Sequence, residues 1–313
     1  MSLLDRMKAI RPPDFARYRR FVVDGHTVGW IAGDLAARLR AHPEVFVVGE
    51  DAVSLSPGVR GYAERSAAVD GALHSLRADG WFRAWRDEPY PVGPSFTKRL
   101  FQMERAAVPA FGVCAYGIHV NGFVGAGADL KLWVGRRSRH KPTYPGQLDH
   151  IVAGGQPAGL GLEENLLKEC AEEASLTPDI VRRAHPVGIV SYLLENEEGL
   201  RNDVLFTYDL ELPPNVVPVN ADGEIEEFFL WPIERVVREV SETADFKFNV
   251  AFVIIDFLVR RGFIGPEDPD YLELVRRLRR RPVDDVVTQG RPALSRLPPR
   301  GYRARSSGRR HKR

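Results

Sequence analysis

Apolar positions recur with two different periods along this chain, and the change of period divides it. In "FVVDGHTVGWI" (residues 21–31) two apolar runs flank Asp24-Gly25, a turn pair that predicts a β-hairpin. "DLAARLRAHPEVFVV" keeps helical spacing until Pro43 and then becomes strand-like. "ERSAAVDGALHSLRADGWF" sets Ala67, Val69, Leu73 and Leu76 at near-helical spacing and stops at Gly80. The "WRDEPYPV" that follows reads as extended and aromatic. From about residue 110 strand-like runs dominate: "AYGIHVNGFVG", "LKLWVGRRS", "HIVAGG", "HPVGIVSYLL", "DVLFTYDLEL" and "EIEEFFLWPI" are six candidates rich in β-branched and aromatic residues. One helix, "LEENLLKECAEEA", falls between the third and fourth, and helices follow at "IERVVREVSE", "NVAFVIIDFLVRRG" and "PDYLELVRRLRR". The pattern predicts an α+β fold: a mixed sheet with helices packed on it, preceded by a smaller α+β part. The expected division is an N-terminal domain over 1–108, a second domain over 109–283 and a tail over 284–313.

Composition changes this picture little. At 313 residues, 44% hydrophobic and 27% charged, the chain can bury a sizeable core. The net charge of +2 is unevenly spread, because "RPALSRLPPRGYRARSSGRRHKR" at the end is basic and rich in Pro, Gly and Ser. Such a segment is expected to be a solvated, disordered tail rather than a nucleic-acid arm. Two cysteines, Cys114 and Cys170, make no disulfide framework and fit a reducing compartment. The first twenty residues carry no signal-peptide pattern, and "FNVAFVIIDFLV", the longest apolar run, is too short and interrupted to span a bilayer. A cytoplasmic protein without a membrane partner is the expectation; the sequence does not specify its oligomeric state.

The chemistry concentrates in "AGGQPAGLGLEENLLKECAEEASL" (residues 153–176). On a helix, Glu169, Glu172 and Glu173 share one face and repel one another unless a positive charge sits among them. A solvated acidic face is one reading. The other is a site for a hard divalent cation such as Mg²⁺ or Mn²⁺, whose preferred ligands are carboxylate oxygens. Two details favour the metal site: only Lys168 balances the charge in these turns, and Leu162, Leu166, Leu167, Cys170 and Ala174 hold the opposite face against a core. The preceding glycines let backbone approach the same point.

This stretch resembles a Nudix box, G-x5-E-x7-R-E-U-x-E-E-x-G-U with U aliphatic. "KECAEEASL" matches its second half with Lys168 for Arg, Cys170 at the aliphatic position and Ser175 for Gly. Gly154-Gly155 match the opening glycines, the loop is one residue shorter than usual, and Leu160 stands where the early Glu would be. The resemblance implies a Nudix α/β/α sandwich, Glu169, Glu172 and Glu173 as metal ligands, and the Gly155 carbonyl as a further one. Nudix enzymes hydrolyse a diphosphate linked to another group, using bound metal to neutralise phosphate and activate water. The base would come from the box or from "NADGEIEEFFLW", where Glu224 is preferred over Glu227.

The wider set "WVGRRS", "PGQLDHIVAGG", "DVLFTYDLELP", "EIEEFFLW" and "FKFNVAFVIIDFLVRRG", with "FVVDGHTVGWI" and "WRDEPY" before it, is similar to the Nudix domain fused to thiamine pyrophosphokinase and its free-standing relatives. That resemblance implies hydrolysis of thiamine diphosphate, and preferentially of its oxidised or damaged forms, a metabolite-repair activity. Arg136, Arg137, Arg201 and Asn202 are the candidates to reach phosphate, and His119 with Asn121 the candidates to hydrogen-bond a ring. The alternatives are a Nudix hydrolase of ADP-ribose, NADH or similar nucleotides, isopentenyl diphosphate isomerase, for which Cys170 would have to be catalytic, and a non-catalytic Nudix binding module.

Overall fold

The computed structural model describes residues 2–8, 13–82, 84–141 and 143–279. The basic segment 284–313 therefore lies outside the described residues. After a short helix α1 (Leu3–Lys8), the chain forms the expected hairpin of β1 (Tyr18–Val23) and β2 (His26–Ala32). Asp24 and Gly25 both adopt positive φ at its turn, 50° and 76°, the conformation a tight hairpin of the observed twist requires. Helix α2 (Gly33–Leu39) ends before Pro43, and β3 (Phe46–Val48) and β4 (Ala52–Leu55) complete a sheet of order β2-β1-β4-β3. Helix α3 (Gly61–Ala78) covers it with Val69, Leu73 and Leu76. A two-stranded ribbon of β5 (Pro89–Val92) and β6 (Phe101–Glu104) and the single turn α4 (Val108–Phe111) close this part. Phe21 is ringed by Phe46, Phe101 and Phe111 at centroid distances of 5.5–6.4 Å. Each such fully buried ring stabilises the fold by about 2 kcal/mol.

The second part is built on a seven-stranded mixed sheet. It contains β7 (Cys114–Val124), β8 (Lys131–Arg137), β9 (Leu148–Asp149), β10 (Val152–Gly155), β11 (His185–Asn196), β12 (Gly199–Glu211) and β13 (Ile225–Pro232). The main path runs β11-β12-β7-β8-β13, with β10 on β7 and β9 on β8. Only β7 and β12 run parallel, and the other pairs are antiparallel. Alternation along β7 sends Ile118 and Val120 to one face, against α5 (Leu162–Ala174) and the short α6 (Pro178–Val181). Phe123 joins Leu132, Val134 and Leu205 on the other face, beneath α7 (Ile233–Glu242), α8 (Phe248–Arg260) and α9 (Tyr271–Arg279). The result is the expected α/β/α sandwich within an α+β fold.

The two parts are not independent in packing. Leu4 and Met7 of α1 sit in the α7–α9 core, far in sequence from the rest of that core. Trp30 packs with Leu193 and Leu200, and Phe96 lies edge-on to both Tyr116 and Phe206 at 5.0 Å. Among the described residues no helix is long and apolar enough to cross a membrane.

Candidate active site

A cleft of about 1090 Å³ opens between the N-terminal part and the second sheet. Its floor is Gly154–Gly155, the last two residues of β10, and one wall is the acidic face of α5. The glycines are required by contact: a Cβ on Gly154 would collide with the Glu169 carboxyl, and one on Gly155 with the Tyr90 hydroxyl. Helix α5 then starts at Gly161, whose N–H donates to Glu164 at 2.9 Å. It ends on Ser175, held at φ 52° with its hydroxyl donating to the Val219 carbonyl at 2.8 Å. That left-handed cap is the reason for the glycine of the motif, and here a serine takes it at a cost of about 1 kcal/mol before its hydrogen bond is counted.

The three box carboxylates occupy a gradient of exposure. Glu172 is 49% exposed, Glu169 12%, and Glu173 7%. Glu173 accepts the Ala153 N–H at 2.9 Å, yet burial pushes its pKa up to about 8. Burial raises Glu169 as well, only partly countered by Lys168. The Lys168 ammonium lies 3.2 Å from Glu169 and 2.7 Å from Glu172. The three carboxylates do not converge on one point in this arrangement; the trio of donor atoms within 4.8 Å of one another, among the described residues, is His119, Asp149 and His150. As hard oxygen donors on one helix face, with raised pKa values at two of them, the glutamates still fit a divalent ion once Lys168 swings aside. The Gly155 carbonyl accepts from Asn165 Nδ2 at 2.8 Å, which leaves its second lone pair available.

The His119–Asp149–His150 trio is a different kind of cluster. Arg137 binds Asp149 at 2.7 Å and Lys247 stands at 3.8 Å. Burial works against the Asp149 charge, but Lys247 and Arg137 outweigh it and hold its pKa down to about 2. The His119 and His150 rings share a hydrogen bond of 3.0 Å between their Nδ1 atoms. Burial lowers both, His150 to about 4 and His119 well below its usual value, so the pair is neutral near pH 7. A cation placed here would face Arg137 and Lys247, so the trio is an ion-paired polar network rather than a metal centre, although His150 Nε2 has no partner among the described residues.

The remaining predicted residues separate by strand parity. Glu224 borders the cleft, ion-paired with Lys141. Arg137 lines it too, but its guanidinium is consumed by Asp149 and by the carbonyls of Thr143 and Tyr144. Arg136 points the other way, donating to the Gly146 carbonyl at 3.0 Å over the Phe229 ring. Arg201 and Asn202 lie inside β12 rather than before it, so they alternate: Arg201 lines the cleft and Asn202 does not. His119 lines the cleft, whereas Asn121 donates to Asp209 at 3.0 Å, where Arg260 and Arg261 also bind, outside it. Cys170 faces the core behind α5, and burial pushes its thiol up to about 12, which removes the isomerase alternative.

Sequence reading missed the deeper wall. Tyr192 donates to Asp203, Asn249 Nδ2 donates to the Tyr192 hydroxyl at 3.3 Å, and Lys247 is buried beside them. Tyr90 and Arg105 reach the same cleft from the N-terminal part. The aromatic "WRDEPY" was a signal for Tyr90, whereas nothing in the sequence linked Asp203 to Lys247.

Residues 2–115 match a family described as a domain of unknown function (DUF4743). The chain is 44% identical over 272 residues to Nudix hydrolase 20, chloroplastic, and 45% identical over 262 residues to Nudix hydrolase 24, chloroplastic, both from Arabidopsis thaliana. Each alignment covers 83% of this chain and 72% of the relative. Among solved structures, a MutT protein from Methanosarcina mazei Go1 is similar with a TM-score of 0.37 and 16% identity, over 49% of this chain and 96% of that one. The expectation of a cytoplasmic protein is overturned by the two plant relatives, which are chloroplastic. Cys114 and Cys170 form no disulfide with each other, which does not choose among compartments. With the box carboxylates on one face of α5 and identity of this extent across most of both chains, the chain belongs to the Nudix hydrolase family.

Proposed function

We propose that this Nudix hydrolase is a Mg²⁺- or Mn²⁺-dependent diphosphatase that cleaves thiamine diphosphate, and preferentially its oxidised or damaged forms. Water adds to one phosphorus, the bridging P–O bond breaks, and the products are the monophosphate and inorganic phosphate. The observation that carries the reading is a cleft with box carboxylates at one end and a wall of rings and amphoteric polar groups at the other. Tyr144 and Tyr192 both pack on Phe248, tilted at 5.8 Å and edge-on at 5.0 Å, and give that wall its aromatic surface. Asp203 beside them offers an acceptor to an amino-substituted ring.

In this reading Glu169, Glu172 and Glu173 hold the ion, with the Gly155 carbonyl as a further ligand. When bound, such an ion neutralises phosphate charge and acidifies water. Glu224 is the base that takes the proton from the attacking water, and Lys141 pairs with it at the border of the cleft. Arg201, whose Nε lacks a partner among the described residues, and His119 contact the substrate. Arg136, Asn202 and Asn121 are left out of this site because they lie away from the cleft. Arg137 orders the loop of residues 143–144 instead of binding phosphate.

A hydrolysis panel with Mg²⁺ and with Mn²⁺ tests the substrate. Phosphate release is expected to be fastest from oxidised thiamine diphosphate. Faster cleavage of ADP-ribose, NADH or another nucleotide would replace the thiamine reading and leave the diphosphatase in place.

A further inference from the structure

We infer that the N-terminal part is a working wall of the active site, and that its Arg105 binds the outer phosphate of a bound diphosphate. The inference rests on the diphosphatase reading and adds to Arg201 a second cation, on the N-terminal side of the cleft.

The ribbon β5–β6 is fastened to the box loop. The Ala158 N–H donates to the Pro89 carbonyl at 2.8 Å, and the Tyr90 hydroxyl fills the space that a side chain at Gly155 would occupy. Arg105 follows directly on β6, with its guanidinium carbon 5.4 Å from the centre of the Tyr90 ring. Its position is fixed by Glu104, which is buried at 4% exposure. The Glu104 carboxylate accepts the N–H groups of Arg86 at 2.9 Å, Glu88 at 3.0 Å and Ala106 at 3.1 Å, and so clamps both sides of the ribbon end. The sequence Gly155–Tyr90–Arg105 thus leads from the floor of the metal site to a cation on the opposite wall.

Four other cations that line the cleft are already committed. Lys141 pairs with Glu224, Lys168 with Glu169 and Glu172, and Arg137 and Lys247 with Asp149. Arg105 gives Nη1 to Glu88 at 2.7 Å, and its remaining N–H groups have no partner among the described residues. With 43% of the side chain exposed inside the cleft, the guanidinium is reachable. A planar group with free N–H donors, stacked on a ring and facing a diphosphate-sized cleft, is suited to paired hydrogen bonds to phosphate oxygens.

The test is titration calorimetry of methylenediphosphonate with Mg²⁺ into the wild-type chain, Arg105→Ala, Arg105→Lys and Glu88→Gln, each checked for folding by circular dichroism. Arg105→Ala is expected to bind about tenfold more weakly, with Arg105→Lys between it and the wild type. Glu88→Gln, which frees the guanidinium, is expected to bind at least as tightly as the wild type. Equal binding by Arg105→Ala and the wild type overturns the inference and leaves the diphosphatase reading intact. Weakening in Glu88→Gln as large as in Arg105→Ala assigns Arg105 to structure and also overturns it. A wild-type chain that does not bind the diphosphonate overturns the diphosphatase reading and this inference together.

Discussion

Two clusters of ionisable side chains border one cleft, and they are built on opposite terms. On α5, Glu169, Glu172 and Glu173 crowd negative charge against a single lysine, with Glu172 half-exposed and burial raising the other two. Around Asp149, one carboxylate is shared by Arg137 and Lys247, and both imidazoles are neutral. The first cluster is short of positive charge, which is what the proposed metal-ligand role requires. The second already holds two cations on its single carboxylate, and one of them would have to leave before another could bind. Partners, more than residue types, separate a ligand site from a structural network.

The comparison breaks first at the box. Glu172→Gln combined with Glu173→Gln is expected to lower phosphate release by about a thousandfold or more while the thermal midpoint holds within a few degrees. Undiminished release would remove the metal-ligand assignment. Asp149→Asn should do the reverse. It leaves Arg137 and Lys247 buried without an anion and is expected to cost about 3–5 kcal/mol in urea unfolding. A loss below about 1 kcal/mol would show that the network is looser than its distances imply.

Acid sharpens the contrast by a smaller amount. The His150 ring takes a proton near pH 6.5 when unfolded and only near pH 4 when folded. Between these values the unfolded chain binds more protons, so stability falls as pH is lowered through the window, by up to about 3 kcal/mol. His119, lowered in the same sense, adds to the slope. Urea midpoints measured from pH 7 to pH 4 should flatten in His150→Leu relative to the wild type. Parallel profiles for the two would contradict a neutral buried pair.

Spacing alone was enough to find Glu169, Glu172 and Glu173, because helical period brings residues together without help from the rest of the fold. The hairpin at Asp24-Gly25 and the break before Pro43 were legible for the same local reason. Strand parity was not. In a sheet covered by helices on both faces, either parity is largely apolar, so sequence could not say that Arg137 and Arg201 turn toward the cleft while Arg136 and Asn202 turn away. His119 and Asn121 do share a face, but two residues along a strand is roughly 7 Å, enough to carry Asn121 out of the cleft and into contact with Asp209. Tyr90, Arg105, Asp203 and Lys247 meet only through tertiary contacts between distant segments. The Ser175 departure from the motif became intelligible only when its φ was seen, because the position demands a left-handed backbone rather than a particular side chain.

The bond from the Ala158 amide to the Pro89 carbonyl gives the box loop a protection that its own helix does not supply. In native-state hydrogen exchange, that amide opens only when the ribbon lifts away. Its exchange rate therefore records the docking of the N-terminal part, while the amides inside α5 record the unfolding of the sandwich. One deuterium label on the box loop thus measures how tightly the N-terminal part and the sandwich cooperate as a single folding unit.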